Sequence, residues 1–330
     1  MNLKDKSILI TGGTGSFGHA FTRFLLERTE VRRIVIYSRD EYKQFLMRRE
    51  LMEHDGRLRY FIGDVRDGQR LRRALNMVDY AVHAAAMKQV PACEYNPIEA
   101  IKTNIDGAAN LINAALDAPT VKRVVALSSD KAVNPINLYG GTKLVSDKLF
   151  ANANYYSTST QCKFAIVRYG NVAGSRGSVI PFFKELLSEG AQELPLTDER
   201  MTRFWMTLDQ AVLLVMKAFE LSRGGETFVY KNPSFYVTDL IKAMNPGGGH
   251  RTVGIREGEK LHECMITSDD SRTAYEYDDY YIIYPQYNWW NRETDLLPGG
   301  EKVEPDWAYT SDKNAWWLTV DDLKKRIEAL

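Results

Sequence analysis

Between Ser128 and Lys143 the chain carries Ser128-Ser129-Asp130-Lys131 and then Tyr139-Gly140-Gly141-Thr142-Lys143, a carboxyl, two amines and a phenol within sixteen residues. These are groups that move protons. Tyr139 and Lys143 are four apart, which on a helix puts both side chains on one face. An ammonium so placed is expected to stabilise the phenolate and draw a tyrosine pKa from about 10 toward neutrality, fit to exchange a proton with an alcohol. Asp130 and Lys131 add an acid and a candidate base. The four-residue spacing also suits a solvated helix face, so position has to decide. The apolar run Val124-Val125-Ala126-Leu127 reads as a buried parallel strand, and Ser128 to Lys131 then lie at its carboxyl end, where open α/β sheets bind ligands.

The elements that must hold these residues begin at the amino terminus. Ser7 to Ile10 reads as a strand running into Thr11-Gly12-Gly13-Thr14-Gly15-Ser16-Phe17-Gly18, and Phe21, Phe24, Leu25 and Leu26 give the helical period that follows. Strand, glycine turn and helix in that order make a dinucleotide site. Gly12 permits the turn, Gly15 lets the backbone approach a pyrophosphate, Gly18 allows close helix packing, and free N–H groups of Thr14, Ser16 and Phe17 face the anion. A purely structural glycine turn is the plainer alternative, and the βα alternation downstream argues against it.

The second strand, Arg33 to Tyr37, ends where an NAD enzyme commonly offers a carboxylate to the ribose 2′-hydroxyl. Here stand Ser38 and Arg39, with Lys43 nearby, a set suited to a 2′-phosphate, so NADP is preferred. Asp40 and Glu41 follow at once and keep NAD, or a solvated charge cluster, in play. Leu58 to Gly63 is expected to deliver Asp64 and Val65 to the adenine, and Tyr80 to Ala86 to deliver the small Ala84 and Ala86, against which a cofactor can lie. Leu127 and Ser128 complete that bed. Lys88 lies beyond a strand end and suits a sugar or phosphate contact, and Asn104 suits bracing of a backbone carbonyl near the site.

After the helix expected over Leu138 to Asn154 comes the strand Phe164 to Arg168 and then Asn171. From there shorter elements with more Pro and Gly suggest a smaller lobe interleaved with the sheet. The expected organisation is a nucleotide-binding domain over 1–172 and a substrate lobe with a carboxyl-terminal arm over 173–330. Arg203 and Arg256 can each grip a diphosphate through paired hydrogen bonds, though a surface ion pair explains an isolated arginine equally well. The aromatic-rich stretch from Tyr275 to Trp317, with Tyr280-Tyr281, Trp289-Trp290 and Trp316-Trp317, carries many acids and no basic stripe, so it reads as a packed arm or subunit contact in preference to a nucleic-acid surface.

Bulk composition limits the alternatives. The 330 residues include 43 Lys+Arg and 43 Asp+Glu, which removes any global electrostatic case for nucleic acid or an anionic membrane. Cys93, Cys162 and Cys264 are widely spaced and fit no zinc pattern, so no metal site is expected and reduced thiols are the default. No apolar signal region and no apolar run of about 18 residues appears, and a cytoplasmic protein is expected.

Taken together these residues resemble the extended short-chain dehydrogenase/reductase family, whose glycine spacing is the G-x-x-G-x-x-G seen here. Within it the chain is most similar to the inverting UDP-N-acetylglucosamine 4,6-dehydratases of pseudaminic acid biosynthesis. The similarity runs through His83-Ala84-Ala85-Ala86-Met87-Lys88, Asp130-Lys131-Ala132, Arg168-Tyr169-Gly170-Asn171-Val172, Gly174-Ser175-Arg176-Gly177-Ser178-Val179, Met201-Thr202-Arg203-Phe204-Trp205 and Gly258-Glu259-Lys260-Leu261-His262-Glu263. Ser129, Gly141 and Gln89 depart mildly from the family pattern, which usually has Thr, Ala and His there.

The resemblance implies an α/β Rossmann-type, doubly wound parallel sheet, tightly held NADP regenerated each turnover, UDP-N-acetylglucosamine as substrate, and a homo-oligomer, a hexamer by family analogy. It implies Tyr139 and Lys143 at the C4 oxidation, Lys131 as a neutral base at C5, and Asp130 as a protonated acid for the 6-hydroxyl. It adds Glu259 to the substrate contacts Lys88, Asn171, Arg203 and Arg256. Retaining dehydratases of dTDP-glucose place Glu after the Asp, which ties Lys131 to inversion. A nucleotide-sugar 4-epimerase, or a non-catalytic NADP-binding regulator, would share the sheet with less need for Asp130 and Lys131.

Overall fold

Apolar runs of four to seven residues become the first six strands of a parallel sheet, β1 (Ser7–Thr11), β2 (Arg33–Ser38), β3 (Leu58–Ile62), β4 (Tyr80–His83), β5 (Arg123–Ser129) and β6 (Lys163–Tyr169), in the computed structural model. It describes residues 1–157, 162–175, 177–287, 290 and 295–330; Arg176 and Trp289 of the motifs above lie outside them. The parallel strands lie in the order β3-β2-β1-β4-β5-β6. β1 pairs with both β2 and β4, so the order reverses there and a crevice opens above the strand ends. Helix α1 (Ser16–Arg28) crosses from β1 to β2, burying Phe21, Leu25 and Leu26 against the sheet. Helix α2 (Glu41–Glu50) follows β2, its first turn capped by the Asp40 carboxylate, which accepts from the Lys43 N–H at 2.9 Å.

β4 stops at His83, three residues short of the expected Ala86. Its neighbour β1 turns away at Gly12, which adopts φ +65°, and a Cβ there would lie 2.9 Å from the Ala84 backbone. On the β1 side the ladder has lost its partner, and Ala84 to Ala86 run on as irregular backbone beside the crevice. Just beyond, a π-helical turn over Lys102–Asp106 interrupts the helical run from Pro97 to Asp117. Such turns are frequent at functional sites. This one carries Asn104, whose amide clasps Met87 from both sides, donating to its carbonyl at 2.9 Å and accepting from its N–H at 2.8 Å.

Past β6 the sheet continues with Thr227–Tyr230, parallel to β6, and then with the antiparallel Tyr280–Ile283, Ala274–Glu276 and Glu301–Lys302. The sheet therefore crosses the expected boundary at 172/173. The aromatic stretch supplies part of it: Tyr280 and Tyr281 are buried, and Trp317 stacks on Tyr236 with ring centres 4.8 Å apart. Among the described residues three small two-stranded sheets join helices in the lobe, including Thr202–Phe204 with Ser234–Tyr236 and Cys264–Ile266 with Tyr309–Thr310. No helix among the described residues is long and apolar enough to cross a membrane.

The helix Leu138–Tyr156 is capped by Asn137, whose side chain accepts from the Gly140 N–H at 2.8 Å. Gly140 faces the backbone carbonyl of Lys131, and a Cβ there would drive into that oxygen. Only glycine lets the first helical turn sit on the turn that follows β5, and that contact brings Tyr139 beside Lys131. Gly140→Ala is therefore expected to lower stability by about 1–3 kcal/mol in a denaturant titration, the usual cost of overpacking; wild-type stability would show that the helix is not seated there.

Candidate active site

A cavity of about 1140 Å³ opens over the carboxyl ends of β1, β4, β5 and β6, larger than the usual small-ligand site of roughly 300–1,000 Å³. At one end it is walled by Gly12, Thr14, Gly15, Ser16, Phe17 and Gly18. Gly15 stands at the N-terminus of α1 with no side-chain cap, so the first helical N–H groups are left to an anion. A Cβ on Gly18 would collide with the Gly13 carbonyl, so helix and turn are in direct backbone contact. This cradle fits the pyrophosphate of a dinucleotide. Ser38, Arg39, Asp40, Lys43, Asp64 and Val65 line the far side, with Ala84, Ala86, Leu127 and Ser128 forming the floor. Glu41 does not reach the cavity: it is exposed in the first turn of α2. Arg39 is also largely exposed and lies 3.8 Å from Asp64, while the Lys43 ammonium pairs with Asp40 at 3.2 Å. Acid and base alternate at the ribose end.

Tyr139, Lys143 and Lys131 line the same cavity further in. Lys143 is buried and donates to the Leu127 carbonyl at 2.7 Å, an anchor at the end of β5. Burial lowers its pKa against the pull of Asp147. Below it lies a group that sequence reasoning missed. Asp147, one turn along the helix, accepts from the Ser128 hydroxyl at 2.5 Å and lies 3.9 Å from Arg168, whose guanidinium also donates to the Met265 carbonyl at 2.8 Å. Tyr139 is not drawn toward neutrality here. Burial pushes its phenol up to about 12, and the groups that oppose this are the Lys131 ammonium and the Ser129 hydroxyl, not Lys143.

The ionisation of the acid–base pair is also the reverse of the expectation. Lys131 Nζ lies 3.1 Å from Asp130 Oδ2 and 3.6 Å from Glu263 Oε1, and donates to Asn171 Oδ1 at 3.1 Å. Burial works against its charge, but the two carboxylates outweigh it and raise the pKa above the ordinary lysine value. For Asp130 burial favours the neutral acid, yet the Lys131 ammonium and hydrogen bonds from Glu263, Ser129 and Lys131 hold the carboxyl well below the usual range. The expectation counted burial and cations but not a second carboxyl. That carboxyl is Glu263: burial, then the charge of Asp130, push it up to about 7. Asp130 itself is fully buried behind Lys131 and Ser129 and does not line the cavity, whereas Glu263 does.

Lys88, Asn171, Arg203, Arg256 and Glu259 all line the cavity. Lys88 feels partial burial and the Lys131 charge, both of which lower its pKa. Arg256 is exposed and open to an incoming anion. Arg203 is different. Its guanidinium is 8% exposed and committed to the protein, donating to the carbonyls of Thr202, Leu261 and Lys260 and pairing with Glu259 at 3.4 Å and Glu263 at 3.3 Å. Among the described residues no cluster of three or more His, Cys, Asp or Glu is placed to hold a metal.

Known proteins resemble this chain over most or all of their length. The inverting UDP-N-acetylglucosamine 4,6-dehydratase of Campylobacter jejuni subsp. jejuni is 53% identical over 98% of this chain and 97% of its own. A UDP-glucose 4-epimerase of Rickettsia canadensis is 40% identical over 99% and 96%. The solved structure of Pen from Bacillus thuringiensis superposes with a TM-score of 0.90 at 38% identity, covering 100% of both chains. DesIV, a dTDP-glucose 4,6-dehydratase of Streptomyces venezuelae solved with NAD and TYD, gives 0.67 at 25% identity over 77% of this chain and 86% of that one. The family model described as polysaccharide biosynthesis protein matches residues 8–285. The chain belongs to that polysaccharide biosynthesis family, within the extended short-chain dehydrogenase/reductases that its glycine turn and Tyr-x-x-x-Lys pair resemble.

Proposed function

We propose that this chain is a C5-inverting UDP-N-acetylglucosamine 4,6-dehydratase, forming a 6-deoxy-4-keto sugar nucleotide of L-arabino configuration and water, the first step toward pseudaminic acid. The observation that carries the reading is Lys131 directly after Asp130 in a cavity shared with Tyr139 and Lys143, in a chain 53% identical to an inverting enzyme of that specificity. A 4-epimerase, favoured by the 40% identical relative, needs Tyr139 and Lys143 but has no use for an amine beside a carboxyl at the C5 and C6 end.

The chemistry supplied by a nicotinamide cofactor, when bound, is oxidation at C4 with return of the same electrons to C6. The glycine cradle, Ser38, Arg39, Lys43, the alanine floor and Lys143 would hold it. Tyr139 Oη takes the O4 proton once it is ionised, a form that the Lys131 charge and the Ser129 hydroxyl favour against burial, and the resulting ketone acidifies the C5–H bond. Lys131 and Asp130 rest as an ion pair, but a single proton moved across 3.1 Å turns them into a neutral amine and a protonated acid. A substrate that displaces water from the cavity favours that neutral pair, since burying two charges is costly. Lys131 Nζ then takes the C5 proton, the C–H electrons form the C5–C6 double bond, and O6 leaves as water with a proton from the carboxyl side. C5 is reprotonated from the opposite face.

Proton NMR of UDP-N-acetylglucosamine with the protein in D₂O, without added cofactor, is expected to show a new C6 methyl, deuterium at C5 and L-arabino couplings. Only a C4 epimer would move the reading to epimerase, and unchanged C5 stereochemistry would make it a retaining dehydratase. Lys131→Ala is expected to abolish both C5 exchange and product; their survival would remove Lys131 as the base.

For the cofactor we propose NADP, from Ser38, Arg39 and Lys43 at the ribose end. Arg39→Ala is expected to weaken NADP by about tenfold or more and NAD little, losing a charge-assisted contact of roughly 1.5–3 kcal/mol. Equal losses would favour NAD. The protein is further proposed to work in the cytoplasm as a homo-oligomer, a hexamer, which light scattering reads directly as six chain masses; a monomer mass would overturn it.

A further inference from the structure

Asp147 is buried on the helix that carries Tyr139 and Lys143, and nothing in the chemistry above uses it. It stands four residues after Lys143, so the two side chains are neighbours on one helix face. Lys143 is buried too, and its ammonium donates to the Leu127 carbonyl, a neutral acceptor, at 2.7 Å. An ammonium taken out of water without an opposite charge is costly. Among the described residues Asp147 is the one charged group that offsets this burial. His83, from β4, also feels Lys143, but burial pushes its imidazole down to about 3 and leaves it neutral.

Asp147 is held in turn from β5 and β6. Ser128, at the end of β5, donates its hydroxyl to Oδ2 at 2.5 Å, the length of a hydroxyl bound to an ionised carboxylate. Arg168 of β6 brings Nη2 to 3.9 Å from the same oxygen, and is itself fixed by the Met265 carbonyl at 2.8 Å and by Asp270 at 3.5 Å. The other oxygen, Oδ1, finds no donor, and neither does Arg168 Nε an acceptor. Burial raises the Asp147 pKa, against the pull of Lys143, Arg168, the Ser128 hydroxyl and the neighbouring Lys148. Cations on both sides therefore do more for this carboxylate than its single short hydrogen bond.

We infer that Asp147 is a positioning residue for the cofactor: its carboxylate supplies the counter-charge that lets Lys143 face a dinucleotide as an ammonium. The inference rests on the nicotinamide-cofactor reading of the cavity and deepens it. Lys143 and Ser128 line the cavity, whereas Asp147 lies behind them and does not. It acts on the ligand only through Lys143. Removing the carboxylate removes the group that raises the Lys143 pKa, so the ammonium, and the grip that depends on it, is lost at a lower pH.

The test measures dinucleotide affinity by calorimetry across neutral and alkaline pH, with whichever of NADP and NAD binds better, on the full chain freed of bound nucleotide. Asp147→Asn is expected to weaken binding by about tenfold, as for one lost charge-assisted contact. The pH at which affinity falls off is expected to move down by about one unit or more, the usual effect of losing an adjacent opposite charge. Ser128→Ala keeps the carboxylate and is expected to move that pH far less. A D147N affinity within about threefold of wild type, a loss that is the same at every pH, as a merely structural role would give, or an S128A shift as large as that of D147N overturns the inference. If D147N does not fold, D147N combined with Lys143→Met is expected to fold, since the stranded ammonium is gone; a double variant that also fails overturns the inference. A wild type that binds neither dinucleotide overturns the cofactor reading and this inference with it.

Discussion

Four ionisable side chains are packed into one place where water is scarce: Asp130 at 0% exposure, Glu263 at 4%, Arg203 at 8%, and Lys131 with 24% of its side chain exposed. None of them is tolerable there alone. Removing one partner of a buried pair typically costs about 3–5 kcal/mol, because the other charge is left without compensation. The cluster thus constrains everything around it. It requires the end of β5, the strand Thr202–Phe204 and the strand Cys264–Ile266 to meet, and it fixes where the lobe sits over the sheet. A site that must exchange protons among its own groups benefits from the same arrangement, since small changes in occupancy redistribute charge within the cluster and not across the protein.

Much of this was legible from the chain alone, where the determinants are local. The glycine turn, the apolar strands and the helix bearing Tyr139 and Lys143 follow from periodicity and from residues at most a few turns apart, and the parallel order places their ends together. β4 was overread because Ala84 to Ala86 continue an apolar run after its neighbour has turned away at Gly12, and a run cannot report the loss of its partner. The antiparallel extension through Tyr280–Ile283 read as an aromatic arm for the same reason: its pairing with Thr227–Tyr230 is set by distant chain.

The ionisation states were the least legible. Burial of Asp130 and Lys131 was foreseeable from their place at a strand end, and burial alone gives a neutral amine and a protonated acid. What reverses it is first the charge each lends the other across 3.1 Å and then Glu263, more than 130 residues further along the chain from Asp130, which no spacing rule connects to the motif. Arg203 was legible as a guanidinium near the site, but its saturation by backbone carbonyls of its own lobe was not. The one available signal was Gly140, whose lack of a side chain inside a Tyr-x-x-x-Lys motif points to a backbone contact, here with Lys131.

Ser311 ties together both sides of this cluster: its hydroxyl meets Thr202 Oγ1 at 2.7 Å, next to Arg203, and its backbone and hydroxyl hold Glu263. It stands 48 residues beyond Glu263 and 109 beyond Thr202, in a chain whose sheet begins at residue 7. During synthesis the nucleotide-binding strands, made first, can fold as the chain emerges. The cluster cannot close until the segment that carries Ser311 is free. A nascent chain therefore completes its first parallel strands well before its acid–base cluster.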